Sequence, residues 1–323
     1  MRNSIIQLFR GLAIIAVVMI HTCPSGEWQV FCRPFINFAV ATFLFLSGYL
    51  TKIENVDWTA FCKKRITRVL VPYIIWTILY SLHAILFIDD EMICIVKNLV
   101  TAQATDTMYY IFVYIQFVLL TPLLGRLAQS RYRHLGWLVA PISTLVFKYY
   151  GLILGYEPNA CVSLFWYDSC LGWFTYYYLG LMLGNHIIER RFSLKSLSLL
   201  YLVSIVLQMA EGYGWYMLGE ATCGTQIKLT TFLTSSLFLL ILYTILRKQN
   251  ISIKCKFLVL LGDYSFGIYL CHIMVMRALR EVPYYTAIPF PVNSVIVVLL
   301  SLFCCGLGYK MLGTRLGGWV GLK

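Results

Sequence analysis

The sequence predicts an all-α fold, a polytopic membrane helix bundle of about ten transmembrane helices with both termini cytoplasmic, and three observations predict it. First, the 323 residues are 60% hydrophobic and only 12% charged, against roughly 25% charged in soluble domains, and mean hydropathy is +0.76. Second, a bilayer core about 30 Å thick needs about 20 apolar residues per helix. Runs of about that length fall at 5–23, 35–51, 66–88, 108–126, 135–153, 171–189, 196–215, 227–247, 257–279 and 290–312. Third, under this assignment 20 of the 26 basic residues fall on the side of the two termini, as the positive-inside rule requires. The connections are short, so residues 1–323 read as a single integral-membrane domain.

The first run, Leu8 to Thr22, opens on Arg10-Gly11 and has ten residues between Arg10 and His21. A helix rises 1.5 Å per residue, so the two side chains sit roughly 16 Å apart along the axis. Arg10 then lies near one face and His21 well inside, a costly arrangement for which function is the default explanation. A basic start before an apolar run also resembles a signal peptide. Arg10 stands at the run's start, however, and Cys23-Pro24-Ser25-Gly26 is a poor small-residue cleavage site, so the run reads as a retained span.

The second run carries Phe43-Leu44-Phe45-Leu46-Ser47-Gly48-Tyr49, where small residues let helices approach closely. Ahead of the third comes Cys62-Lys63-Lys64-Arg65-Ile66-Thr67-Arg68-Val69-Leu70-Val71-Pro72. Arg65 and Arg68, three apart, share a helix face, with Lys63 or Lys64 beside them. A positive-inside anchor with snorkelling side chains is one reading. The other is phosphate binding, because Arg68 stands past the membrane edge within a turn of Pro72, and fork-shaped guanidiniums suit multivalent phosphate.

Two outer connections carry structure of their own. After Asp89-Asp90-Glu91, the stretch Met92 to Leu99 suits a short interfacial helix. Gly155 to Gly172 gathers Tyr156, Glu157, Asn159, Trp166, Tyr167 and Asp168, with Trp173 just beyond. Those aromatics are either interfacial anchors or, beside the acids, the lip of a carbohydrate site. The ninth run opens with Gly262-Asp263-Tyr264-Ser265-Phe266-Gly267-Ile268-Tyr269-Leu270-Cys271-His272 and so places a second histidine deep in an apolar segment. Either histidine serves as a hydrogen-bonded core residue or as a base, since an imidazole of pKa about 6.5 takes a proton near neutral pH.

Other classes are excluded. The net charge of +12 is spread over clusters between apolar runs, without exposed aromatics interleaved, which argues against nucleic acid. The eleven cysteines show no metal-ligand spacing, so no metal is expected and most pack as small apolar residues. Cys23, Cys32, Cys161, Cys170 and Cys223 fall near outer connections, where an oxidising compartment would permit pairing. No paired Gly/Pro-broken halves mark an inverted-repeat transporter. Phosphate-binding arginines toward the cytoplasm and a base toward the outside fit group transfer across the membrane, from a phosphate-bearing donor to an acceptor on the other side.

At these residues the chain resembles the acyltransferase-3 family of integral-membrane acyltransferases, which O-acylate extracytoplasmic polysaccharides and related acceptors. The likeness rests on Arg10 and His21 with ten residues between, on the Ser47-Gly48-Tyr49 segment, and on Arg65-Ile66-Thr67-Arg68 with a proline beyond. It continues in Tyr178-Leu179-Gly180-Leu181-Met182-Leu183-Gly184 and in Tyr264 to His272, and so covers nearly the whole chain. The resemblance implies that His21 is the catalytic histidine and Arg10 its paired basic residue. It implies that Arg65 and Arg68, with Lys64, hold the phosphates of an acyl-CoA, usually acetyl-CoA, and that Ser47 and Gly48 border the acyl channel or simply pack helices. His272 is expected to give polar support or to position the acceptor, and Asp168, Trp166 and Tyr167 are expected on the acceptor side, the acceptor being a polysaccharide or lipid-linked glycan. Within these residues there is no fused SGNH-type domain, so the acceptor sugar is left open.

The expected enzyme is therefore an acyl-CoA-dependent O-acetyltransferase of a bacterial inner membrane. His21 acts as general base or as a transient acyl carrier, oriented by an outer acid such as Asp168, Glu157 or Glu211. A small-solute or amino-acid carrier built on the same bundle is the competing expectation. A scaffold for polysaccharide assembly is weaker, because it leaves buried His21 and Arg10 unexplained.

Overall fold

The computed structural model describes residues 4–87, 91–150, 168–189, 192–248 and 255–323, and these are helices joined by turns, with no strand among the described residues. α1 (Ser4–Thr22) is followed by the short α2 (Glu27–Cys32), a 3-10 turn and α3 (Phe38–Tyr49), which together make one span from Glu27 to Tyr49. α4 (Trp58–Phe87) is 30 residues long, roughly 45 Å, and is started by Asp57, whose Oδ1 accepts from the N–H groups of Thr59 and Ala60 at 3.0 and 3.1 Å. Then come α5 (Ile93–Thr101), α6 (Tyr109–Gln129), α7 (Gly136–Thr144) with a π-helical turn after it, and α8 (Phe174–Gly184). The chain ends in α9 (Leu194–Met217), α10 (Leu229–Leu246), α11 (Lys256–Asp263), α12 (Ser265–Arg280) and α13 (Val292–Trp319).

Among the described residues seven of these segments are long and apolar enough to cross a membrane, or eight if α11 and α12 are one broken span. The run at 135–153 is helical as far as it is described, through α7 and the π-helical turn to Tyr150, and the run at 171–189 appears as the shorter α8. Rows of large apolar side chains on α9 (Leu199, Leu202, Val206) and α13 (Val295, Leu299, Phe303) point outward, a surface that needs a lipid solvent. The chain is an integral membrane protein.

Two local outcomes differ from the sequence expectation. The ninth run is not one straight helix but bends by 79° between α11 and α12, with Asp263 and Tyr264 at the break. The segment at Met92 to Leu99 is helical, but its far end leans into the bundle. The hydroxyl of buried Tyr73, halfway along α4, donates to the carbonyls of Asn98 and Leu99 at 3.0 and 2.9 Å.

Glycines set the closest helix contacts. A Cβ on Gly48 would stand 2.2 Å from the Tyr177 carbonyl oxygen, and Cβ atoms on Gly180 and Gly184 would each stand 2.1 Å from carbonyls of α3. The two family-like segments around Ser47 and Gly180 are thus the two sides of one interface between α3 and α8. In the same way Gly11 lies against the Leu258 carbonyl and Gly262 against that of Gln7, which joins α1 to α11. One core cluster is built around α3 and α8 (Leu44, Phe45, Tyr177, Leu181), another around α1, α12 and α13 (Ile14, Val18, Ile268, Val297).

Candidate active site

A cavity of about 840 Å³ is lined by residues of both clusters. Arg10, Lys64, Arg65, Arg68 and Lys323 line it at one pole, and His21 and Arg33 line it as well. Arg10 lies within electrostatic range of Arg65 and Arg68, and His21 within range of His272 and Arg33. The eleven-residue step from Arg10 to His21 separates the poles by roughly 16 Å along α1. Val17, Ile20, Val40, Phe43 and Val69 supply apolar lining.

At the cationic pole, Arg65 Nη1 donates to Ser47 Oγ at 3.3 Å, and the Arg65 guanidinium lies 4.8 Å from the Phe61 ring centre. Ser47 therefore borders the cavity and orients a cation. Gly48 does not line it and faces α8. Arg10 Nε is buried without a partner, so its side chain carries unused donor capacity. No carboxylate lies within 4.0 Å of Arg10, Arg65 or Arg68 among the described residues. Lys323 joins this pole because the segment after α13 folds back, its Nζ lying 5.1 Å from the ring centres of both Tyr264 and Tyr309. The five cations at this pole outnumber the Asp263 carboxylate that also lines the cavity, and such a surplus makes an anion site.

At the other pole His21 stands in the last turn of α1. Thr22 Oγ1 shares a 2.7 Å hydrogen bond with Ser294 Oγ of α13, which fixes the last turn of α1. The ring of His21 stands 5.5 Å from that of His272, centre to centre. His272 is fully buried behind it and does not line the cavity. Its Nδ1 lies 3.0 and 2.9 Å from the carbonyl oxygens of Ile268 and Tyr269, while Nε2 has no partner.

Two of the acids considered for orienting His21, Asp168 and Glu211, do not line the cavity. Asp168 is outside the cavity lining; its backbone carbonyl accepts from Gln116 Nε2, and burial lifts its carboxyl to about 6. Glu211 is engaged by the hydroxyl and N–H of Thr230. Trp166, Tyr167 and Glu157 lie outside the described residues. The carboxylates that do line the cavity are Asp106, in the turn before α6, and Asp263 at the α11–α12 break. Arg33, Asp106 and Lys323 were not singled out from the sequence. Only Arg33 carried a signal there, as a charge beside a proline at the edge of an apolar run. Among the described residues no cluster of His, Cys, Asp or Glu has metal-ligand geometry.

A family model described as an acyltransferase domain matches residues 3–310. No curated protein and no solved structure gives a match.

Proposed function

The chain belongs to the acyltransferase-3 family, and on that premise we propose that it moves a short acyl group, acetyl in the first instance, from acyl-CoA to a sugar hydroxyl of a polysaccharide or lipid-linked glycan. One observation carries this reading: the Arg10, Lys64, Arg65 and Arg68 side chains line the same cavity as His21. Phosphates of the donor are held at the cationic pole, and its thioester arm runs along the apolar lining toward His21. His21 takes the proton of the acceptor hydroxyl as the oxygen attacks the thioester carbonyl. The C–S bond breaks, and the coenzyme leaves as a thiolate that is then protonated. A two-step route, with the acyl group resting on the imidazole between donor and acceptor, uses the same residues.

In the membrane, the positive-inside bias puts both termini and the cationic pole on the cytoplasmic side, where acyl-CoA is found, in a bacterial inner membrane. His21 then faces an acceptor that arrives from the outer side. Arg65 and Arg68 supply forked donors for phosphate, and Ser47 steadies Arg65.

The reading is tested with purified protein in detergent, by acetyl-CoA binding and by transfer of labelled acetyl to a glycan acceptor. Binding is expected in the wild type and is lost in Arg65→Ala, while His21→Ala binds the donor and fails to transfer. Wild-type transfer by both His21→Ala and Arg68→Ala would sink the scheme. Solute accumulation in vesicles without coenzyme A release would identify a carrier instead.

A further inference from the structure

The acyl-transfer reading uses the cations at one pole and the imidazoles at the other, and leaves Arg33 without a task. Arg33 begins the 3-10 turn between α2 and α3, and its carbonyl accepts from the N–H groups of Ile36 and Asn37 at 3.0 and 2.9 Å, so its backbone is fixed. The side chain lines the cavity, yet Nε is buried without an acceptor and no carboxylate lies within 4.0 Å among the described residues. A half-buried guanidinium whose Nε is cut off from water and has no counterion is costly. Lys228, 1% exposed, donates to the Cys223 carbonyl at 2.6 Å and lies within electrostatic range of Glu211 and, more weakly, of Arg33, so Glu211 answers the lysine and leaves the arginine as the unbalanced charge.

The surroundings are those of a polar ring-shaped ligand. Trp173 Nε1 is a buried donor without an acceptor, and Gln226 Oε1 a buried acceptor without a donor; both residues line the cavity. The Trp173 ring stacks on Tyr109 with centres 6.1 Å apart and planes at 25°, forming an aromatic wall. Asp106 lines the same cavity but lies beyond ion-pair distance of Arg33. Unmatched donors, an unmatched acceptor and an aromatic wall line the same cavity as this unpaired fork-shaped cation, which lies within electrostatic range of both Tyr109 and His21.

We propose that Arg33 sets acceptor specificity: the corner of the cavity beside His21 takes a sugar bearing an anionic oxygen group, a carboxylate or a phosphate ester, held by the Arg33 fork while a hydroxyl of that sugar or its neighbour meets His21. This inference rests on the acyl-transfer reading for the meaning of the bound sugar, but its binding step is measured separately. Titration calorimetry on the full chain in detergent, with coenzyme A saturating the other pole, compares methyl glucuronide, glucose 6-phosphate and methyl glucoside. At least one of the two anionic sugars is expected to bind tenfold or more tighter than the glucoside, and the tighter of them identifies the source of the anion. Arg33→Gln is expected to reduce both to the level of the glucoside while coenzyme A affinity stays at the wild-type value, which reports an intact fold. Arg33→Lys is expected to recover part of the preference. Equal binding of all three probes, no binding of any, or unchanged binding in Arg33→Gln overturns the proposal. If coenzyme A itself does not bind, the donor reading fails, and the same sugar titrations without it still decide the role of Arg33.

Discussion

The rings of His21 on α1 and His272 on α12 stand 5.5 Å apart with their planes inclined by 53°. Carbonyl oxygens only accept, so the two contacts at His272 Nδ1 place the proton on that nitrogen and leave Nε2 as a bare lone pair in a buried site. That lone pair is the one group of His272 free to act on its neighbour. Removal of His21 is expected to cost about 10²- to 10⁴-fold in transfer rate with little change in donor affinity. His272→Asn keeps a donor for the two carbonyls and deletes the ring base. It is expected to fold with an unchanged melting temperature and to lose kcat rather than raise KM for acetyl-CoA. An unchanged kcat would reduce the pair to packing.

Ser47 and Arg65 belong to different helices and meet at 3.3 Å, so the serine's effect on the donor passes through the arginine. A hydrogen bond to a charged group contributes about 1.5–3 kcal/mol, and a neutral one about 1 kcal/mol. On the proposed reading, Arg68→Ala, which deletes a cation of the cavity lining, is therefore expected to weaken acetyl-CoA by roughly 10- to 150-fold, one decade for each 1.4 kcal/mol. Ser47→Ala leaves the charge in place and acts only through the orientation of Arg65, so it is expected to weaken binding less than Arg68→Ala does. Arg65→Lys is expected to fall between them, because the charge survives and the fork does not. Equilibrium binding of acetyl-CoA to the three variants ranks them.

The sequence carried the fold class because an apolar run in lipid has few alternatives to a helix that satisfies its own backbone. It also carried His21 and the Arg65, Arg68 pair, since intramembrane charge is rare enough to stand out. Their meeting in one cavity is a tertiary fact, produced by contacts such as Gly11 against Leu258 that no spacing in a single segment announces. Asp106 and Lys323 were illegible for the same reason: each lies in a connection or end whose composition is ordinary, and only folding brings it to the cavity wall. The bend between α11 and α12 was hidden because each half is apolar enough to read as part of one span.

Asp168, expected beside the acceptor, is instead expected to act on stability alone. Its carboxyl is lifted to about 6 by burial, whereas an unfolded aspartate titrates near 3.9. Between those values the folded protein binds the extra proton, so stability falls as pH rises through the window and the penalty is complete above about pH 6. Asp168→Asn keeps the backbone contact with Gln116 and removes the charge. Its melting temperature is expected to exceed that of the wild type at pH 7.5, with the gain shrinking toward pH 4, and its transfer rate is expected to be unchanged. A scan of melting temperature against pH for both proteins checks this; parallel curves would count against it.

The α3–α8 interface gives the sharpest structural prediction, because it separates two kinds of glycine in one protein. At Gly48 and Gly184 an added methyl would come within 2.2 and 2.1 Å of backbone carbonyl oxygens, and backbone does not step aside as a side chain does. The helices must then part, which breaks the close approach that holds Ser47 and Arg65 at the cavity wall. Overpacking of this kind costs about 1–3 kcal/mol and sometimes more. Gly214 in α9 and Gly306 in α13 have nothing within 4 Å of the added methyl, and alanine favours a helix over glycine by about 1 kcal/mol. Gly48→Ala and Gly184→Ala are therefore expected to lower the melting temperature and weaken acetyl-CoA binding together. Gly214→Ala and Gly306→Ala are expected to leave binding intact and to hold or raise the melting temperature. If all four behave alike in detergent-stability and binding assays, the tight packing of α3 on α8 does not position the donor site.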